Sequence, residues 1–241
     1  QLQSADVQTK QMSSEVFMNQ ELFPVSEALS ESAWVNAKKY NELYERSVRD
    51  PDGFWSEQAS QLHWFKPWNK VSDCDFKAGR IKWFEGGKLN VSYNCLDRHL
   101  ETRGDQVAII WEGDSPNEDR KITYKQLHEE VSRFANALKG LGVQKGDRVC
   151  IYLPMIPEAA VAMLACTRIG AVHSIVFGGF SPDALKDRVV DANCAIVITS
   201  DESMRGGRAV PLKANADKAA AAAECVKNVV VVKRTGGKIA W

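Results

Sequence analysis

The chain has 241 residues, enough for one large α/β domain or two small ones. Hydrophobic residues make up 44% of it and charged residues 26%, and Lys plus Arg equal Asp plus Glu at 31 each. This composition is that of an ordinary globular protein, and its zero formal charge argues against a nucleic-acid or membrane partner recognised through bulk charge. No run of about 18 apolar residues is present, which argues against a membrane-spanning helix.

The N-terminal region is predicted to contain an arm and a cap segment. Residues 1–30 are rich in Gln, Ser and Asn without a steady hydrophobic period, which predicts a disordered or extended arm. A helix is predicted to follow from Ser32 and to end before Pro51, because proline disfavours helix in the preceding residue. Residues 31–105 are predicted to form a helical, aromatic-rich cap segment.

Aromatic residues are concentrated in this segment, and six of the seven tryptophans lie at or before Trp111. They could form a surface for a ligand or partner, or they could pack together as a small core. Packing is favoured, because Trp and Phe bury large areas and usually lie inside.

Strands alternate with helices across residues 106–241, which we predict to be the first part of an incomplete α/β domain. Apolar runs predict strands at 107–111, 149–153, 171–176, 195–199 and 229–232, and helices are predicted at 123–141, 158–169, 181–192 and 214–226. This alternation predicts a mostly parallel sheet flanked by helices. Such sheets bind ligands beyond the carboxyl ends of their strands.

Two glycine-containing loops follow predicted strands. In the first, Phe177-Gly178-Gly179-Phe180, the glycines would let a ligand approach the backbone and a phenylalanine could cover an adenine ring. A plain strand-to-helix turn is the alternative.

In the second loop, Arg205-Gly206-Gly207-Arg208, two guanidinium groups flank a diglycine turn near a helix start and could clamp a phosphate. A flexible turn with two solvated arginines remains the alternative there.

The sequence offers no catalytic or metal-binding pattern. Neither loop has the spacing of a phosphate-binding P-loop or a dinucleotide fingerprint, and Thr235–Lys238 is interpreted as a hairpin turn. The four histidines are not paired at helical spacing and are predicted to be structural. The six cysteines lack Cys-x-x-Cys spacing, which predicts free, mostly buried thiols and a reducing compartment.

Several segments together resemble the AMP-forming acetyl-coenzyme A synthetases of the adenylate-forming superfamily. The resemblance covers residues 35–241 and is carried by 44–47 (YERS), 52–55 (DGFW), 94–100 (NCLDRHL), 108–113 (AIIWEG), 152–160 (YLPMIPEAA), 168–174 (RIGAVHS), 177–182 (FGGFSP) and 233–238 (KRTGGK).

This resemblance implies a ligase that joins acetate to CoA through acetyl-adenylate, with ATP as the second substrate and Mg²⁺ as the metal. It implies that the Arg205–Arg208 loop binds the 3′-phosphate end of CoA and that Phe177, Gly178 and Gly179 lie near the adenine. The family's ATP site, acyl pocket and catalytic lysine would lie beyond Trp241, so we expect an N-terminal fragment that is inactive alone and lacks the C-terminal part of its own chain.

Three points stay open at the level of sequence. Propionate or another short-chain acid could replace acetate. A non-catalytic nucleotide-binding or interaction module is an alternative from another class. The expected compartment is the cytoplasm, with an organelle matrix as the alternative.

Overall fold

The computed structural model describes residues 23–241, so the predicted arm at residues 1–30 lies mostly outside the described residues. The chain divides into two compact units, whose described parts are residues 23–59 and 60–241. This division falls after Ala59, whereas the sequence placed the end of the cap segment at residue 105. Among the described residues, no helix is both long enough and apolar enough to cross a membrane.

The first unit is helical, with α1 (Glu27–Ser32), α2 (Ala37–Arg49) and α3 (Pro51–Ser60). The predicted helix begins later than expected because Asn36 caps it: the Asn36 side-chain oxygen accepts a hydrogen bond from the Lys39 N–H at 3.0 Å. It ends before Pro51, as predicted. The short helix α1 includes four residues that the sequence assigned to the arm.

The second unit holds the sheet. In chain order, its elements are β1 (Lys70–Asp75), β2 (Arg80–Glu85), α4 (Val91–Cys95), a 3₁₀ helix (Asp97–His99), α5 (Leu100–Arg103), β3 (Val107–Glu112), β4 (Asp119–Thr123), α6 (Tyr124–Gly140), β5 (Arg148–Tyr152), α7 (Pro157–Ile169), β6 (Val172–Ile175), α8 (Pro182–Asp191), β7 (Ile196–Ser200), β8 (Ser203–Arg205), β9 (Arg208–Val210), α9 (Leu212–Ala221) and β10 (Asn228–Val232).

Within residues 60–241, four strands form a parallel sheet in the order β10–β7–β5–β6. The chain leaves β5 for β6 on one side and then crosses to β7 on the other, so its direction of winding reverses at β5. The predicted α/β fold with a parallel sheet is confirmed. One strand differs from the prediction: β3 pairs antiparallel with β4 and lies outside this sheet.

Helices cover both faces of the sheet. On one face, α6 and α7 pack against Val149, Ile151, Ile196 and Ile198. On the other face, α8 and α9 pack against Cys150, Tyr152 and Val197. Because successive strand residues point to opposite faces, burial on both sides requires the nearly continuous apolar runs seen in the sequence.

Some of the predicted aromatic packing is present in the second unit. Trp64, Trp68 and Phe84 pack together with ring centroids 4.9–5.5 Å apart, beside the antiparallel hairpin of β1 and β2. In contrast, Phe65 and Phe76 are exposed. Aromatic packing therefore explains part of the cluster and leaves several rings on the surface.

The start of α6 is stabilised by a capping box between Thr123 and Gln126. The Thr123 hydroxyl accepts a hydrogen bond from the Gln126 N–H at 3.2 Å, and the Gln126 side chain accepts one from the Thr123 N–H at 2.9 Å. We expect Thr123→Ala to lower the free energy of unfolding by about 1 kcal/mol, because one N–H at the helix start loses its acceptor. Urea unfolding of the protein measures this change.

The matched control is Thr123→Ser, which keeps the hydroxyl and should stay within about 0.5 kcal/mol of the parent. Equal losses in the two variants would show that the methyl group, and not the cap, stabilises this end of α6.

Candidate functional site

The loops that leave the parallel strands meet around one cavity of about 510 Å³. Its lining comes from the segments after β5, β6, β7 and β10, together with the end of β3. Parallel strands carry their carboxyl ends at the same edge of the sheet, so all four loops converge there. The cavity therefore lies where the sequence predicted a ligand site.

The diglycine loop is the tip of a hairpin formed by β8 and β9. Gly206 and Gly207 have φ angles of 55° and 73°, a left-handed conformation that glycine adopts without strain. The register places Arg205 opposite Arg208, so both side chains leave the same tip. The sequence placed this loop before the alanine-rich helix, and α9 begins four residues after Arg208, at Leu212. The strands β8 and β9 on either side of the loop were not predicted.

Both arginines at the tip are exposed and available to an anion. No ion pair within residues 23–241 involves Arg205 or Arg208, although many other arginines there are paired with carboxylates. Arg205 and Gly206 line the cavity, whereas Gly207 and Arg208 lie outside its lining. The tip therefore presents one guanidinium group to the cavity and a second beside it.

The predicted Phe177 loop lies against the same arginine. Phe177, Gly178 and Gly179 all line the cavity, and the Arg205 guanidinium carbon lies 5.8 Å from the centroid of the Phe177 ring. A Cβ atom on Gly179 would approach Phe177 Cε1 to 2.5 Å and Arg205 Nη1 to 3.2 Å. A side chain at position 179 would therefore displace the Phe177 ring and crowd Arg205, which glycine avoids.

The cavity lining also contains residues that the sequence patterns did not identify as site residues. The Trp111 indole N–H donates to the Met155 carbonyl oxygen at 2.7 Å, and the Arg234 guanidinium carbon lies 5.1 Å from the centroid of the Trp111 ring. Arg234 also donates two hydrogen bonds to Glu118, at 2.6 and 2.7 Å. These hydrogen bonds hold the pKa of Glu118 below its ordinary value, and the Glu118 carboxylate balances the charge of Arg234.

A buried carboxylate holds the segment that carries Arg234. Asp201 has no exposed surface and follows the last residue of β7. Its carboxylate accepts hydrogen bonds at 2.7–3.3 Å from the backbone N–H groups of Glu202, Arg234, Thr235 and Gly236. The hairpin turn proposed for Thr235–Lys238 is therefore wrong, since this segment follows β10 without pairing and is held by Asp201.

The environment of Asp201 sets its protonation. Burial alone would raise the pKa of this carboxyl group, but the backbone N–H donors together lower it below the ordinary value. Asp201 is consequently a carboxylate at neutral pH, with its charge stabilised by backbone dipoles.

Other polar groups in the second unit have structural roles. Arg168 donates to Asp97 at 2.7 and 2.9 Å, and His128 Nε2 lies 3.2 Å from the same carboxylate, so the three side chains form one polar cluster. Burial raises the pKa of the Cys150 and Cys166 thiols to about 12, which keeps them protonated and unreactive. The described residues contain no group of three or more His, Cys, Asp or Glu side chains placed to hold a metal ion.

Two family models match adjacent parts of the chain. The model described as AMP-binding enzyme matches residues 96–240, and the model described as acetyl-coenzyme A synthetase N-terminus matches residues 40–95. The matched ranges together include the cavity and every predicted site residue.

Curated relatives match nearly the whole chain but are much longer. An acetyl-coenzyme A synthetase of Alkalilimnicola ehrlichii is 66% identical over 91% of this chain, and acetyl-coenzyme A synthetase 2 of Pseudomonas putida is 59% identical over 91%. The chain spans 34% of the length of each of these relatives. Among solved structures, acetoacetyl-CoA synthetase from Streptomyces lividans superposes with a TM-score of 0.77 at 26% identity, over 88% of this chain and 33% of that one.

We expect Asp201→Asn to lower the free energy of unfolding by about 2 kcal/mol at pH 7, because the amide offers fewer acceptor sites and brings its own N–H groups against the donors. The pKa of Asp201 is lower in the folded protein than in the unfolded chain. The stabilisation by its carboxylate is therefore fully present above the ordinary aspartate pKa of about 3.9 and is lost as pH falls through the folded-state pKa. The stability gap between parent and variant should thus stay constant from pH 7 to about 5 and narrow only below about 4. Urea unfolding across this pH range measures it.

The exposed Asp105 supplies the control, since Asp105→Asn should leave stability nearly unchanged. A gap that already closes between pH 7 and 5 would contradict the assignment of a depressed pKa to Asp201.

Proposed function

Because this chain belongs to the family of AMP-binding enzymes, we propose that it is part of an acetate–CoA ligase to which it contributes part of the CoA site. In the proposed reaction, acetate attacks the α-phosphorus of ATP to give acetyl-adenylate and diphosphate. The CoA thiol then attacks the acetyl carbonyl, and AMP leaves. The names of the relatives at 59–66% identity support this activity for the whole protein.

The observation that carries the proposal is the unpaired pair of arginines at the hairpin tip. The 3′-phosphate of CoA is a compact dianion, and planar guanidinium groups can donate two parallel hydrogen bonds to it. Arg205 and Arg208 face each other across the register of β8 and β9 and have no carboxylate partner in the described chain, so they are free to bind it. Arg234, the other arginine in the cavity lining, is already paired with the Glu118 carboxylate.

The Phe177 loop suits the neighbouring adenine of the same ligand. The ring of Phe177 is more than half exposed and offers an apolar face, while Gly178 and Gly179 leave the backbone accessible. Arg205 lies against this loop, so the two parts of the site are placed to act together.

We infer that ATP, acetate and Mg²⁺ bind through other parts of the protein. The described residues contain no cluster of three or more His, Cys, Asp or Glu side chains that could hold this ion. The six free cysteines support a reducing compartment, and we propose the cytoplasm.

Acetate is favoured over a longer acid by the degree of similarity. The structural relative whose name contains acetoacetyl-CoA is 26% identical, whereas the relatives named acetyl-coenzyme A synthetase reach 66%. We therefore propose acetate as the acid.

In the full-length protein, we expect Arg205→Ala with Arg208→Ala to raise KM for CoA by about 30-fold, since each exposed arginine–phosphate contact is worth on the order of 1 kcal/mol. Acetate-dependent exchange between ATP and diphosphate should stay nearly intact, because adenylate formation does not involve CoA. Steady-state kinetics and the exchange assay measure the two effects.

Arg103→Ala provides a matched control, since this arginine is exposed on α5 and lies outside the cavity. Collapse of the exchange reaction in the double variant, with a normal Arg103→Ala protein, would contradict the assigned role.

A further inference from the structure

Tyr152 joins the Phe177 loop to the helix that follows the arginine hairpin. It is the last residue of β5 and is fully buried. Its hydroxyl group donates a hydrogen bond to the Phe180 carbonyl oxygen at 2.7 Å and accepts one from the Asn215 side-chain amide at 3.3 Å. One hydroxyl thus connects a strand end, a loop and a helix.

The first partner ends the Phe177 loop. Phe180 is followed directly by Ser181, which caps α8. Phe177 and Phe180 are both exposed, at 57% and 39%, and their rings contact each other at a centroid distance of 5.8 Å. The loop is also held by a hydrogen bond from the Phe180 N–H to the Phe177 carbonyl oxygen at 3.0 Å and by the Arg188 guanidinium group, 4.7 Å from the centroid of the Phe180 ring. The hydrogen bond from Tyr152 adds an anchor from the buried core.

The second partner, Asn215, lies in α9, the helix that follows the arginine hairpin. Asn215 lies in the first turns of α9, which starts two residues after the end of β9. Leu212, the first residue of α9, is fully buried, and its Cδ1 would lie 3.6 Å from a Cβ atom on Gly178. The base of the hairpin and the Phe177 loop therefore share an anchor at Tyr152.

We propose that the Tyr152 hydroxyl is a positioning group that fixes the spacing between the Phe177–Phe180 loop and the Arg205–Arg208 hairpin for binding of CoA. The inference rests on the proposed function and adds a residue to it. A ligand that bridges two loops binds more tightly when their spacing is set beforehand, because less conformational freedom is lost on binding.

The chemistry of Tyr152 suits a permanent donor. Burial raises the pKa of its hydroxyl, so the group keeps its proton throughout the neutral range. Phenylalanine at this position would keep the ring volume of the core while removing both hydrogen bonds. The Phe180 carbonyl and the Asn215 amide would then have to find other partners.

The test uses Tyr152→Phe in the full-length protein. We expect KM for CoA to rise about fivefold, as for the loss of one neutral hydrogen bond. We expect kcat at saturating CoA and the exchange between ATP and diphosphate to remain within about twofold, since neither depends on how the CoA loops are spaced. Tyr124→Phe is the matched control, because Tyr124 packs on the opposite face of the sheet.

A second variant separates positioning from general stability. Asn215→Ala should raise KM for CoA as well, and the double variant with Tyr152→Phe should show less than the product of the two effects, because both act through one hydroxyl. Independent, multiplicative effects would overturn the shared anchor. Equal losses of CoA affinity, exchange activity and thermal stability would overturn the positioning role in favour of a general structural one.

The arginine variants distinguish failure of this inference from failure of the proposed function. If Arg205→Ala with Arg208→Ala raises KM for CoA while Tyr152→Phe leaves it unchanged, only the positioning role is wrong. If neither changes KM for CoA, the assignment of the CoA site itself is wrong.

Discussion

The parallel register of the sheet is the constraint on which the site depends. Because β10, β7, β5 and β6 run in one direction, every loop that follows them emerges at one edge, and the cavity forms there. Burial of both faces by helices fixes the strands, so the loop positions follow from the core. The site is thus positioned by apolar packing that takes no part in binding.

The arginines in and beside this cavity are paired unequally. Arg234, in the lining, is held by Glu118, and its segment is tied to the buried carboxylate of Asp201. Arg205, in the lining, and Arg208, beside it, have no carboxylate partner among the described residues. The first arrangement stabilises the structure, and the second leaves cationic groups available to an anionic ligand.

Sequence patterns predicted those helices and strands of this protein that are determined by the order of apolar and polar residues along the chain. Apolar runs located the strands of the sheet, and the helix predicted at 123–141 begins within one residue of α6. The strands β1, β2, β4, β8 and β9 carry no apolar run longer than two residues, so they were missed. The β1–β2 hairpin also shows that the segment predicted to be a helical cap is only partly helical. The Arg234 and Gly236 partners of Asp201 lie 33 and 35 residues away, and the Phe180 and Asn215 partners of Tyr152 lie 28 and 63 residues away. These groups are brought together only by folding, which no local pattern records. Arg205 and Phe177 were both identified from their loops, but their contact depends on the convergence of strand ends.

The most direct test of the account removes the 3′-phosphate from the ligand as well as the two arginines from the protein. KM values for CoA and for 3′-dephospho-CoA would be measured on the full-length parent and on its Arg205→Ala, Arg208→Ala variant. The account predicts that the parent prefers CoA by about 30-fold and that the variant binds both ligands equally, because the arginines act only on the 3′-phosphate. A variant that still prefers CoA as strongly as the parent would place the phosphate elsewhere and contradict the assignment.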